Sequence, residues 1–313
     1  MTMKVVVPAN LALAGKQYLT TRGLELIKTT DQKAITLSKL AQDTAGIILM
    51  TDPFPNALAA QLPHLRVIAR HGVGYDNVDA AYFGRQGIWV TITPHANATT
   101  VAETTLAAIM AAAKQLNESA NHMRHGDWGW ANQHRGFDLA GKVLGIMGYG
   151  RIGRQVAKIA WALGMQVLAY DPYAKSDEIA QLVDRPTLFK QADVVSLHML
   201  VTEATRHSIG ARELAWMKPT AILVNFGRAA LIDHPALQAA LRNQQLARAI
   251  IDVYDQEPLP PTDPWYTTPR VTLYPHVASN TTECMSRMAV GAASEVVRVL
   301  TGAQPQWPVN QVK

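Results

Sequence analysis

A single cysteine, Cys284, stands in a chain of 313 residues. It cannot form an internal disulfide, and no Cys/His group has zinc spacing, so a disulfide scaffold and a structural zinc site are both excluded. Long apolar runs are missing as well. The best candidate, 106–113, covers eight residues of mostly alanine, against the ~18 that a membrane helix needs. The opening MTMKVVVPAN lacks the basic, apolar and cleavage segments of a signal peptide and runs straight into a predicted strand. A cytoplasmic protein without a metal or a membrane partner is expected. Charge of one sign is also scarce. Twenty-nine Lys and Arg against 24 Asp and Glu give +5, with the basic residues scattered. That argues against nucleic acid as a partner and leaves anionic small molecules compatible.

What is present is 48% hydrophobic and 17% charged residues, the balance of a globular protein with a large core. The length is about twice a typical ~150-residue domain. No internal repeat or low-complexity segment interrupts it. Short aliphatic runs alternate with helical stretches, which predicts parallel βαβ units. The first third gives strands at 4–7, 46–50, 66–69 and 88–91, then one long alanine-rich helix over 101–123, capped by Thr99 or Thr100 with Glu103 in its first turn. A loop with Trp128 and Trp130 follows at 126–136. A second series gives strands at 143–147, 166–170, 194–197, 222–224, 249–253 and 271–273. Five prolines make 256–269 irregular, and a last helix spans 282–300.

The sharpest local signal follows the strand at 143–147. Gly148-Tyr149-Gly150-Arg151-Ile152-Gly153 fits G-x-G-x-x-G and opens a helix whose Ile152, Val156, Ile159, Ala160 and Leu163 share one face. Gly148 permits the tight turn, Gly150 lets the backbone approach a pyrophosphate, and Gly153 lets helix and strand pack closely. The helix start offers free N–H groups to the phosphates. Asp171 ends the next strand, 18 residues past Gly153, near the ~20 expected of a carboxylate that binds ribose hydroxyls and repels a 2′-phosphate. Together they predict NAD (NADH) as cofactor in preference to NADP. The fold expected is α/β, two doubly wound parallel-sheet domains. A Rossmann domain at 99–278 is inserted into a flavodoxin-like substrate domain made of 1–98 and 279–313, with the active site in the cleft between them.

Polar residues just past the later strands are the candidates for chemistry: His198, Asn225, Arg228, Asp252, Glu257 and His276. Reducing a ketone needs a proton donor near its oxygen, and histidine suits neutral pH. An acidic partner would orient that histidine, and an arginine would grip a carboxylate with two prongs. Position alone does not choose between His198 and His276. Arg228 on a surface turn and Glu257 ending a strand are readings as open as a role in the site, and for His276, which follows Pro275, a capping or packing role stands ahead of catalysis.

The chain resembles the D-isomer-specific 2-hydroxyacid dehydrogenase family along nearly its whole length. The blocks that carry the resemblance are Arg70-His71-Gly72-Val73-Gly74-Tyr75-Asp76-Asn77-Val78-Asp79, Val101-Ala102-Glu103, Leu139-Ala140-Gly141-Lys142, Val224-Asn225-Phe226-Gly227-Arg228, Asp252-Val253-Tyr254-Asp255-Gln256-Glu257-Pro258 and Pro275-His276. The resemblance implies that Arg228 holds the substrate carboxylate, Glu257 pairs with the catalytic histidine, and His276 gives and takes the proton. It further implies that Val73 and Gly74 bind the carboxylate through backbone amides, that Asp252 contacts the nicotinamide carboxamide, and that the enzyme is a homodimer through its cofactor domains, reached by the segment of Trp128 and Trp130. The implied reaction is hydride transfer between NAD(H) and C2 of a small 2-oxo or 2-hydroxy acid.

The chain departs from the family at Phe226, Gly227 and Ala229 around the arginine, at His95, Thr104, Leu200 and Ala278. None of these removes a catalytic group, while His95, Phe226 and the loop Thr51-Asp52-Pro53-Phe54 bear on specificity. A phosphate wants Arg or Lys; the loop has neither, Asp52 would repel one, and only Arg70 or Arg135 stands to compensate. No regulatory domain of the longer phosphoglycerate enzymes is expected. Hydroxypyruvate or glyoxylate is the favoured substrate. D-3-phosphoglycerate dehydrogenase and an NAD-binding corepressor are the alternatives.

Overall fold

A computed structural model describes residues 3–40 and 43–312, so Met1, Thr2 and Lys313, which fall within the segments assigned above, lie outside the described residues. The chain divides into two compact units. The first takes the chain up to Asn97 and resumes at Asn280; the second is Ala98–Ser279. Each is built on one parallel sheet.

The first unit has strands β1 (Lys4–Pro8), β2 (Glu25–Thr29), β3 (Thr44–Leu49), β4 (Val67–Arg70) and β5 (Trp89–Thr91), with helices α1 (Leu13–Thr20), α2 (Ala34–Leu37) and α3 (Ala80–Arg85). Its strand order, β2-β1-β3-β4-β5, is that of flavodoxin-like sheets. Every residue of β3 and β4 is buried, as expected of strands covered on both faces. The helix Thr282–Leu300, eleventh in chain order and so α11, completes the core on one face. Its Ala289, Ala292, Ala293 and Val296 pack with Val5, Val7, Val67 and Ala69. A Cβ on Gly15 of α1 would lie 2.7 Å from the Cβ of Ala289, so glycine there sets how closely the two helices approach. The chain after α11 then closes the sheet. Glu295, 1% exposed, accepts the N–H of Gln306 and of Trp307 at 2.9 Å each. Ile92 N–H donates to Trp307 O at 3.1 Å and Val309 N–H to Val90 O at 2.9 Å. Residues 306–310 thereby cover the otherwise open edge of β5.

The second unit holds β6 (Val143–Met147), β7 (Gln166–Tyr170), β8 (Ala180–Leu182), β9 (Val194–Leu197), β10 (Ile222–Asn225), β11 (Arg248–Ile251) and β12 (Val271–Leu273). Its helices are α4 (Ala98–Ala113), α5 (Leu116–Arg124), α6 (Trp130–Gln133), α7 (Arg151–Ala162), α8 (Arg185–Gln191), α9 (Ala211–Trp216) and α10 (His234–Arg242). The order β12-β11-β10-β9-β6-β7-β8 is the doubly wound dinucleotide-binding order with one strand added, and it reverses between β6 and β9. Val156, Ala157 and Ala160 of α7 pack against Leu144, Ile146 and Val167, with Ile152, Ile159 and Leu163 at the margin.

Three sequence expectations are corrected. The helix expected over 101–123 is two, α4 and α5, separated at Gln115, whose φ of 53° is left-handed. The Ala113 carbonyl, which an unbroken helix would give to Asn117, is taken by Phe137 N–H at 2.8 Å. α4 begins at Ala98, so Thr99 and Thr100 lie inside it and Glu103 beyond its first turn. The loop at 126–136 contains α6, on which the Trp130 ring stacks between His122 (4.5 Å) and His134 (4.2 Å). Among the described residues no helix is long and apolar enough to cross a membrane, and no group of three or more His, Cys, Asp or Glu is placed to hold a metal ion.

Candidate active site

The carboxyl ends of β6 and β9 meet at the point where strand order reverses, where ligands of open α/β sheets bind. Gly148 follows β6 with φ +95°, and a Cβ there would lie 2.7 Å from the His198 carbonyl carbon past β9. A Cβ on Gly153 would come within 2.2 Å of Gly148 O, so the third glycine lets α7 reach the turn. Gly150 differs: a Cβ on it meets no protein atom within 4 Å. The open space lies over the start of α7, which no side chain caps, and a methyl group would intrude on it. The N–H groups of Arg151 and Ile152 begin that helix and carry its positive dipole end. At the end of β7, Asp171 Oδ2 accepts Tyr149 N–H at 2.9 Å, while Oδ1 accepts Tyr173 N–H at 2.8 Å and Ala174 N–H at 3.2 Å. Three backbone donors fix this carboxylate, which has acceptor capacity left for ribose hydroxyls. These features fit a dinucleotide.

At the same sheet end, the exits of β10, β11 and β12 assemble the other polar candidates. Asn225, fully buried, shapes the turn after β10: its Oδ1 accepts Gly227 N–H at 3.0 Å and its Nδ2 donates to Arg228 O at 2.9 Å. Arg228 NH1 donates to Gly227 O at 3.0 Å. After β11, Asp252 is wholly buried, and burial pushes its carboxyl up despite the hydrogen bonds it accepts. Each oxygen accepts a backbone donor: Oδ1 accepts Val277 N–H at 2.8 Å and Oδ2 accepts Ala278 N–H at 3.0 Å. His276 N–H donates to Asp252 O at 2.9 Å. Asp252 therefore braces the turn on which His276 sits, with φ +54°, a left-handed conformation that side chains rarely adopt without such support.

That turn places His276 Nδ1 at 2.6 Å from Glu257 Oε2, a charge-assisted pair with both side chains about one-third exposed or less (33% and 28%). Glu257 Oε1 accepts Tyr254 N–H at 3.0 Å. Burial would raise Glu257, but the hydrogen bond and charge of His276, the Tyr254 N–H and the Arg228 charge outweigh it and hold its carboxyl below the ordinary value. Nδ1 of His276 is thereby committed to Glu257, and Nε2 is the nitrogen left for exchange with a ligand. His198 differs. Its Nε2 bonds Ser196 Oγ at 2.9 Å, its Nδ1 is enclosed without a hydrogen-bond partner, and burial pushes its pKa down to about 4. It is neutral at pH 7 and lacks the imidazolium proton that a general acid gives. The geometry thus separates two histidines that position alone left equal. The feature missing from the sequence reading is Tyr254, whose Oη donates to Tyr274 O at 2.8 Å and approaches Ile251 O at 3.2 Å; nothing in its spacing marks it.

Val73 and Gly74 belong to the first unit. There Arg70, 4% exposed, reaches beneath their turn: Nε donates to Gly74 O at 2.9 Å and NH1 to Leu49 O at 2.7 Å. In the loop at 51–54, Asp52 Oδ2 accepts Gln32 N–H at 2.9 Å, and Asn77 Nδ2 donates to Asp52 O at 2.7 Å. His95 lies against the Trp307 ring at 4.7 Å.

Comparison with known proteins follows the same division. A family model described as D-isomer specific 2-hydroxyacid dehydrogenase, NAD binding domain, matches residues 106–278. A glyoxylate reductase of Aeropyrum pernix is 41% identical over 286 residues, 88% of this chain and 85% of the relative. A D-3-phosphoglycerate dehydrogenase of Methanocaldococcus jannaschii is 38% identical over 251 residues, 79% of this chain but 48% of the relative. Among solved structures, a glyoxylate reductase from Paecilomyes thermophila superposes with a TM-score of 0.88 at 28% identity, covering 98% of each chain.

Proposed function

We propose, because the chain belongs to the D-isomer specific 2-hydroxyacid dehydrogenase family, that it reduces a small unphosphorylated 2-oxo acid, glyoxylate or hydroxypyruvate, to the corresponding 2-hydroxy acid. The observation that carries the reading is the 2.6 Å His276–Glu257 pair beside Arg228. Bound NADH supplies the hydride that C2 receives. His276, with Nδ1 held by Glu257, delivers a proton from Nε2 to the carbonyl oxygen; the Glu257 carboxylate steadies the imidazolium charge that the ring carries before the transfer and loses in it. Arg228 grips the carboxylate of the acid through its planar fork; the amides of Val73 and Gly74 are proposed to bind the same group. Gly148, Gly150, Arg151, Ile152 and Gly153 would hold the pyrophosphate, Asp171 the adenosine ribose, and Asp252 the nicotinamide side.

The unphosphorylated substrate rests on Asp52, whose charge is unfavourable to a phosphate, and on Arg70, whose buried guanidinium is engaged with Leu49 and Gly74. The similarity to glyoxylate reductases over most of both chains supports it, whereas the phosphoglycerate dehydrogenase is matched over about half its length. A homodimer through the second unit belongs to the same reading: α5 buries no residue, and Leu116, Met123 and Trp128 are 55%, 52% and 76% exposed. So does a reducing, cytoplasmic setting, in which the one cysteine stays a thiol.

The test is NADH oxidation with glyoxylate, hydroxypyruvate, pyruvate, branched 2-oxo acids and 3-phosphohydroxypyruvate, repeated with NADPH. Preference for glyoxylate or hydroxypyruvate with NADH is expected. Preference for the phosphorylated acid would overturn the role of Asp52, preference for NADPH that of Asp171, and tight NADH binding without turnover would favour a regulatory protein.

A further inference from the structure

The loop that carries Glu257 and the turn that carries His276 leave different strands, β11 and β12, and the pair they form depends on how those two exits are joined. The ladder between them is regular up to Tyr274, whose N–H donates to Ile251 O at 2.8 Å. It then slips by one residue. His276 N–H donates to Asp252 O, where an unbroken parallel ladder would use Val253 O and would give Tyr274 O a backbone donor from the neighbouring strand. Tyr274 O receives the Tyr254 phenol instead, at 2.8 Å. Tyr254 thus links Glu257, whose Oε1 accepts its N–H at 3.0 Å, to the segment that leads into His276, through its hydroxyl to the carbonyl two residues before that histidine. The outer side of the loop is fixed separately. His234 Nδ1 lies 2.9 Å from Asp255 Oδ2, and the His234 ring packs edge-on against Trp265 at 5.2 Å. With that side anchored, the phenol is a second side-chain strut to the histidine segment, beside the Asp252 carboxylate that accepts Val277 and Ala278 N–H.

We propose that Tyr254 is a positioning residue for the reaction, its hydroxyl setting the separation and alignment of His276 and Glu257 by bridging the slipped ladder. This rests on the reductase reading above. A strut of this kind acts on the geometry of proton delivery. The grip on the acid lies with other residues, so its loss falls on kcat and spares KM.

Tyr254→Phe keeps the ring and removes only the hydroxyl. Two readouts decide. The first is the downfield proton resonance of the Nδ1–H···Oε2 bond in the wild-type protein and the variant. The second is steady-state kinetics with NADH and glyoxylate or hydroxypyruvate, with thermal melts alongside. The expected result is a shifted or lost resonance and a kcat lower by ~10-fold, with KM for both substrates within about twofold. An unchanged resonance, or an unchanged kcat, would overturn the proposal, as would a lower Tm with normal kcat and resonance, because the hydroxyl would then be structural only. A wild-type protein that binds NADH but turns over none of the acids would overturn the reductase reading instead, which the resonance does not report.

Discussion

At the scale of single residues, the two histidines show how surroundings assign a role. His276 stands on an αL turn braced by Asp252 and is paired with Glu257; His198 is enclosed and held neutral. His276→Ala is expected to lower kcat by ~10²–10⁴ while NADH affinity, measured by titration of the protein fluorescence, is largely kept. Retained turnover would mean that the proton comes from elsewhere. The residues of this cluster were legible in the sequence as polar groups past strand ends, because that position follows from the doubly wound order. Their pairing was legible only through the family resemblance, which joins Glu257 to His276, and not from position. Glu257 and His276 are 19 residues apart, and the carboxylate of Asp252 finds its donors 25 residues on. Only the ladder between β11 and β12 brings these together.

At the scale of elements, α5 buries none of its residues. Leu116 and Met123 are seven residues apart and so share a face, and both are exposed. Sedimentation of the wild-type protein is expected to give a dimer, and Leu116→Glu with Met123→Glu a monomer, since two charges would be buried unpaired. A wild-type monomer at micromolar concentration would remove this interface. The sequence made ten strands legible through their aliphatic runs and missed two, β2 and β8. Both sit at sheet edges, where one side lacks a neighbour and the run of buried residues that marks a central strand is absent: β8 has three residues with one buried. The division between α4 and α5 was hidden for another reason. It depends on Phe137 returning to the Ala113 carbonyl, and Gln115 carries none of the glycine or asparagine signature of a helix end.

At the scale of the whole molecule, both units hold a histidine that resists protonation. His71 in the first is pushed down to about 4 by burial, with the Arg70 charge adding to the effect, and His198 in the second to about 4 by burial. A folded pKa below the unfolded value of 6.5 means that the unfolded chain binds the proton first, so stability is complete above about 6.5 and falls as pH drops toward about 4. Each histidine is expected to remove about 2 kcal/mol at about pH 5 relative to about pH 7. Chemical denaturation at the two pH values measures this. His71→Asn should flatten the dependence of whichever transition reports the first unit, and an unaltered dependence would show that His71 is not its source. Glu257, held below its ordinary value, contributes in the same direction at lower pH still.

The strip at 306–310 that covers β5, together with α11, has a consequence for how the molecule is made. The five strands of the first unit leave the ribosome before any of the second, yet the helix that fills their core and the strip that seals their edge are translated only after the second unit. About 180 residues of other structure intervene, roughly ten to thirty seconds of synthesis at ordinary rates. During that interval a nascent β5 edge and the apolar groove awaiting α11 are open to any neighbouring chain, while the second unit can already fold. The first unit can be completed only after the second has been made.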